Sequence, residues 1–187
     1  MNVLITSTLG LKNLGDTCYM NAAIQILIHL KNFIQKLTNV NISDMNNFAG
    51  TFFQLMREIY ELINLSENNP LAKNAILFYS PIHFKRRFTN KYVLFSDGQH
   101  DSIEFIRLFL NQLIKENINI KTRAAYHKID NNNKTKIEIS REYNKFFNSR
   151  DHTFIHDLFY FQIITTYSCI CGYNSYANEN VLKILLL

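Results

Sequence analysis

Three sets of side chains in this sequence have types and spacing that could do chemistry. Cys18 lies in GLKNLGDTCYMNAAIQIL, residues 10–27, where a glycine-punctuated turn runs into an apolar face with helical spacing. A thiol becomes a good nucleophile as its thiolate, and the first turn of a helix offers that anion unpaired N–H groups and the positive end of a dipole. Asn13 precedes it by five residues, and a tight turn at Gly15 could fold its amide back toward the sulfur, where an N–H suits an oxyanion. The bland alternative, a small residue buried near a helix start, is the commoner outcome for an arbitrary cysteine. Asp101 and Glu104 form D-x-x-E, a capping box if a helix begins there. Cys169 and Cys171, one residue apart, are two thiolates and do not by themselves close a tetrahedral zinc site. His152 and His156 could complete a set of four, but the spacing matches no known finger, and no metal is expected.

The elements that must position these groups follow from periodicity. Met20, Ala23, Ile24, Leu27, Leu30 and Ile34 predict one helix running on from Cys18, with Thr17 or Asp16 as its cap. Phe48, Phe52, Leu55, Met56, Ile59, Leu62 and Ile63 predict a second over about 45–65, capped by Ser43 or Asp44 and broken by SENNPLAKN. Ser80 as N-cap and Pro81 at the first helical position predict a short third helix. A fourth is predicted over about 101–117, with Phe105, Ile106, Phe109, Leu110, Leu113 and Ile114 on one side. Residues 121–150 read as a polar loop or insertion with at most a marginal strand near Ile137 and Ile139. From Phe154 onward, β-branched and aromatic residues predict strands and a hairpin turning at Gly172.

Composition sets outer bounds. The 187 residues are 47% hydrophobic, enough for one sizeable core, and no run approaches the roughly 18 apolar residues that span a bilayer. No membrane partner and no cofactor are expected. Three cysteines suit a reducing, intracellular setting, cytoplasmic or nuclear. Residues 121–150 hold eight Lys or Arg against three Asp or Glu, which accounts for the whole net charge of +5. A basic patch confined to one polar segment, without an Arg- and aromatic-rich motif, reads as a solvated surface, so nucleic acid is not an expected partner.

The stretch around Cys18 resembles the cysteine box of the ubiquitin-specific proteases, papain-like cysteine peptidases. Gly10, Leu11, Asn13, Leu14, Gly15, Thr17, Cys18, Tyr19, Met20, Asn21 and Gln25 fall on that pattern. SPIHFKRRF followed by GQHDSIEFIRLFLNQL is similar to the family's glutamine-aspartate-glutamate box, here Gln99, Asp101, Glu104 and Phe105. HDLFYFQIITTYSCICGYNSY resembles the beginning of its fingers. The resemblance implies an α+β, papain-like fold, in part: a mainly helical thumb over about 9–120, the polar basic loop at 121–150, and a β-rich start of the fingers over 151–187. It also implies a deubiquitinase acting on ubiquitin or ubiquitinated proteins. Cys18 would attack the carbonyl of ubiquitin's C-terminal glycine, Asn13 would help hold the oxyanion, and Gln99, Asp101 and Glu104 would line the channel for ubiquitin's arginine-bearing tail.

Several features depart from the pattern. The family's base is a histidine in a glycine-histidine-x-x-tyrosine segment, and the sequence stops at Leu187 before one, as the front half of a domain would. None of His29, His83, His100, His127, His152 and His156 is assigned as the base; His100 stands where glutamine is usual. Asp16 stands where the family usually carries asparagine or another uncharged residue, and a carboxylate so near the sulfur opposes a thiolate unless it points away as the helix cap. The family's zinc pairs are C-x-x-C, against C-x-C here. Two other readings stay open: a ubiquitin-binding pseudoenzyme, and a small zinc-binding module in the last fifty residues.

Overall fold

The apolar stripe that begins at Cys18 is buried as its spacing requires, but by two helices rather than one. In the computed structural model, which describes residues 9–39, 46–68, 78–117, 124–126, 129 and 134–182, helix α1 (Cys18–His29) buries Tyr19, Met20, Ala23, Ile24, Leu27 and Ile28. Leu30 then turns extended, its N–H closing a tight turn on the Leu27 carbonyl, and α2 (Lys31–Thr38) buries Phe33, Ile34 and Leu37. The break carries neither glycine nor proline, so nothing in the sequence marks it.

Helix α3 (Phe48–Asn68) follows the predicted stripe. Ser43 and Asp44, the expected caps, lie outside the described residues; Asn47 accepts the Gly50 N–H at 2.7 Å instead. The Glu116 carboxylate, far along the chain, accepts the Phe48 and Ala49 N–H groups at 3.0 Å each. Helix α4 spans Ile82–Lys91, and Pro81, not Ser80, holds its cap position, one residue later than predicted. A single 3₁₀ turn at Val93–Phe95 leads to α5 (Ser102–Asn117), which buries Phe105, Ile106, Phe109, Leu110 and Leu113 on its predicted side. Two short strands, β1 (Gly10–Leu11) and β2 (Phe78–Tyr79), pair in parallel.

These elements form the first of two units, Met1–Glu116. Phenylalanine fills its centre: Phe52, Phe84, Phe88, Phe105 and Phe109 are each 0–1% exposed, with ring centroids as close as 4.5 Å for Phe88 and Phe105. Each such ring contributes about 1.5–3 kcal/mol by burial, and tilted or edge-on pairs about 0.5–1.5 kcal/mol more.

The second unit, Asn117–Leu187, corrects the sequence reading. The expected loop at 121–150 contains a 15-residue helix, α6 (Lys136–Arg150), and no strand passes through Ile137 or Ile139. Thr135 and Glu138 form a capping box that starts it: the Glu138 N–H donates to the Thr135 hydroxyl, and the Thr135 N–H to the Glu138 carboxylate. Ile139 is its one buried residue, while Ile137 stays exposed. Polar composition hid the helix because only one anchor reaches a core. A six-residue helix, α7 (Phe154–Phe159), occupies the first part of the segment read as strand. The predicted hairpin follows: β3 (Tyr160–Ser168) and β4 (Asn174–Leu182) run antiparallel from Tyr160↔Leu182 to Ser168↔Asn174. At its turn the Gly172 N–H donates to the Cys169 carbonyl, and Gly172 takes a φ of +87°.

Candidate active site

The segment before Cys18 is held at successive carbonyls. From α1, the Gln25 amide donates to the Leu9 carbonyl at 2.7 Å and the Asn21 amide to that of Lys12 at 3.1 Å. Across the β1–β2 pair, the Lys12 N–H donates to the Tyr79 carbonyl at 2.9 Å. From α4, the Lys85 ammonium donates to the Leu14 carbonyl at 2.9 Å. The chain then reverses through Gly15 (φ +84°) and Asp16 (φ +46°), two consecutive left-handed residues. Glycine adopts that region freely, and aspartate and asparagine tolerate it better than other residues.

Thr17 closes the turn. Its hydroxyl accepts the Leu14 N–H at 2.9 Å and donates to the Asn13 Oδ1 at 2.9 Å, while its own N–H donates to the same oxygen at 3.0 Å. Thr17 thus occupies the cap position of α1 without its side chain capping the helix, and the Asp16 carboxylate bonds nothing among the described residues. Neither residue is the side-chain cap the sequence suggested. With Oδ1 taken twice, the Asn13 amide has its orientation fixed, and its Nδ2 donors stay unpaired among the described residues. Cys18 follows as the first residue of α1 and is exposed, which removes the buried-packing alternative.

Tyr19 ties this turn to the second motif. Its ring is buried against Phe95, Phe105 and His100, the last at 5.2 Å and edge-on, and its hydroxyl donates to the Phe95 carbonyl at 3.4 Å. Burial, with the charge of Cys18 as a lesser cause, raises its pKa. His100 in turn lies 4.4 Å from the Phe95 ring, and its Nε2 meets the Asp97 carbonyl at 2.9 Å. The loop carrying Gln99 is therefore laid beside the start of α1. Gln99, Asp101 and Glu104 are all exposed. Asp101 caps α5, one carboxylate oxygen accepting the Ile103 and Glu104 N–H groups at 2.6 and 3.1 Å. Glu104 makes no return bond, so half of the expected capping box forms, and its exposed carboxylate bonds nothing among the described residues.

An exposed thiol at a helix start, with a fixed amide donor on the same turn and carboxylates on the adjoining loop and helix, is equipped for acyl transfer by a cysteine nucleophile. The family model described as "Ubiquitin carboxyl-terminal hydrolase" matches residues 9–176. The chain belongs to the ubiquitin carboxyl-terminal hydrolase family. It is 28% identical over 170 residues to ubiquitin carboxyl-terminal hydrolase Usp2 of Drosophila melanogaster, covering 89% of this chain and 17% of that protein. It is 32% identical over 183 residues to ubiquitin carboxyl-terminal hydrolase 32 of the same fly, covering 94% and 10%. To ubiquitin carboxyl-terminal hydrolase 4 of Vanderwaltozyma polyspora it is 31% identical over 198 residues, covering 95% and 22%. The chain thus spans about a tenth to a fifth of these relatives' length. Among solved structures it resembles a chain of the SAGA Ubp8/Sgf11/Sus1/Sgf73 DUB module bound to ubiquitin aldehyde, with a TM-score of 0.56 and 18% identity, covering 93% of this chain and 34% of that one. The fold is the α+β, papain-like one that the sequence resemblance implied.

Within this ubiquitin carboxyl-terminal hydrolase chain, the imagined four-ligand metal set is not assembled. His152 and His156 sit at the base of the hairpin and Cys169 and Cys171 at its tip, with the nine residues of β3 between them, about 30 Å of extended chain. Among the described residues no three His, Cys, Asp or Glu side chains cluster as a metal would need. Both tip cysteines are exposed, and the Cys171 thiol and N–H hold the Cys169 thiol below its usual pKa. No described histidine hydrogen-bonds Cys18. Sequence reasoning placed Asn21 and Gln25 on the family pattern without a role, and both turn out to fasten the segment ahead of the Cys18 turn. It missed Lys85 entirely, because a bond between residues 71 positions apart leaves no local signal.

Proposed function

We propose that the chain is the nucleophile-bearing part of a cysteine-type deubiquitinase that hydrolyses the isopeptide or peptide bond at ubiquitin's C-terminal glycine. The observation carrying this reading is the exposed Cys18 at the head of α1, on the same turn as an Asn13 amide whose oxygen is fully engaged. The first unit corresponds to the thumb and the second to the start of the fingers. The Cys18 thiolate attacks the glycine carbonyl, and the carbonyl oxygen takes up negative charge within reach of Asn13 Nδ2. Collapse expels the amine and leaves a thioester, which water hydrolyses. Glu104, exposed and unpaired with Asp101, and the open oxygen of Asp101 meet the arginines of the ubiquitin tail, with Gln99 beside them. The relatives' shared name and the ubiquitin aldehyde in the neighbouring structure support ubiquitin as the substrate. A pseudoenzyme has no need of an exposed thiol on the same turn as a pre-oriented donor.

Labelling by ubiquitin carrying a C-terminal electrophile tests this. The adduct should form on Cys18 and vanish in Cys18→Ala. Asn13→Asp keeps the oxygen that binds Thr17 but removes the donor, so labelling should slow by roughly 10²-fold, the usual cost of losing an oxyanion donor, with thermal stability little changed. No adduct on Cys18 while ubiquitin still binds would favour the pseudoenzyme.

A further inference from the structure

We propose that Lys85 is a positioning residue for the Cys18 nucleophile, acting through the Leu14–Gly15 peptide. The inference rests on the deubiquitinase reading for its catalytic meaning, but its geometry stands apart from that reading. Lys85 sits on α4 directly after Phe84 and three residues before Phe88, which are 1% and 0% exposed, so its backbone is anchored in the aromatic core. The other basic residues of α4 at 86, 87 and 91 are exposed, and Arg87 and Lys91 lie over the Phe48 ring. Lys85 alone among them is half-buried and reaches the turn, donating to the Leu14 carbonyl at 2.9 Å.

That carbonyl belongs to the peptide entering the two left-handed residues. The N–H side of Leu14 is tied to Thr17, but its carbonyl has no other partner among the described residues. A peptide plane next to a glycine, here at φ +84°, can rotate at little steric cost, because glycine carries no Cβ and takes either sign of φ. Rotation would reverse the Leu14 carbonyl and the Gly15 N–H together and loosen the turn that aims Asn13 and presents Cys18. The ammonium opposes this by holding the oxygen.

The test compares Lys85→Met, Lys85→Gln and Lys85→Arg with the parent chain in three measurements: labelling by the ubiquitin electrophile, the pH profile of Cys18 alkylation by iodoacetamide, and thermal melting. Misplacement of a reacting group by about 1 Å costs on the order of 10²-fold, so Lys85→Met and Lys85→Gln should label at least about tenfold more slowly and need higher pH for half-maximal alkylation. Lys85→Arg, which keeps cation and donor, should recover most of both. Parent-like labelling and alkylation profiles in a folded Lys85→Met or Lys85→Gln chain would overturn the proposal. So would an arginine variant as slow as they are. If both neutral variants fail to fold, the arginine variant decides alone: a folded chain with unrecovered rate and profile rejects the role, and recovery upholds it. If the parent chain takes up no ubiquitin electrophile, the deubiquitinase reading fails instead, and the iodoacetamide profile still judges Lys85.

Discussion

Asp16 stands at φ +46°, a backbone region that costs most L-residues about 1–2 kcal/mol and that asparagine and aspartate enter most readily. Aspartate meets the turn's backbone need, as asparagine would, while adding a charge two residues from Cys18. Since that carboxylate caps nothing, Asp16→Asn should keep the melting temperature and accelerate Cys18 alkylation at neutral pH; unchanged or slower alkylation would count against an electrostatic role. A second residue-scale consequence lies at His156. Burial, and then the charge of His152, push its pKa down to about 4, and its Nδ1 accepts the Thr153 N–H at 3.1 Å. An unfolded histidine titrates near 6.5. The unfolded chain therefore binds more protons between those values, so the stabilisation from neutral His156 is complete above about pH 6.5 and is lost as pH falls toward 4. The melting temperature of the parent should drop more steeply over that window than that of His156→Asn; parallel curves would show that His156 is not the titrating group.

Among the elements, α3 has a start that depends on a distant side chain. Both oxygens of Glu116, on the last turn of α5, accept N–H groups from its first turn, and the Gln112 amide steadies the same carboxylate at 3.0 Å. Glu116→Ala should destabilise the chain by about 1–2 kcal/mol, as other cap deletions do, read as a shift in urea midpoint with an unchanged slope. No inspection of residues near 48 would find this cap, because its sequence separation is 68. Helix α6 is the opposite case. Its T-x-x-E signature at Thr135 and Glu138 was present in the sequence, but the segment's charge and single buried isoleucine masked it. The stripes of α1, α3 and α5 were legible because an apolar face of several residues repeats locally, whereas the break at Leu30 depends on how two faces meet the core.

At the scale of the whole chain, the two units are unequally supplied with buried side chains. The first has its phenylalanine cluster; the described part of the second buries only Ile139, Thr153, Ile155 and Phe159, and the hairpin's Tyr167, Ile170 and Tyr173 are exposed. Backbone amides of β3 and β4 should therefore exchange hydrogen faster than those in the middle of α1, α3 and α5; equal protection would mean the hairpin is stabilised by something other than these contacts. The turn bearing Cys18 was legible as a motif, while the partners that shape it were not, because Phe78, Tyr79 and Lys85 come from about sixty or more residues away. That separation has a temporal consequence. Contacts across long loops form only after the loop-closing entropy has been met, so the turn around Cys18 is completed only once β2 and α4 have docked beside it. A newly made or partly unfolded chain then presents Cys18 without that turn, and alkylation pulses during refolding should find its reactivity changing as β2 and α4 dock.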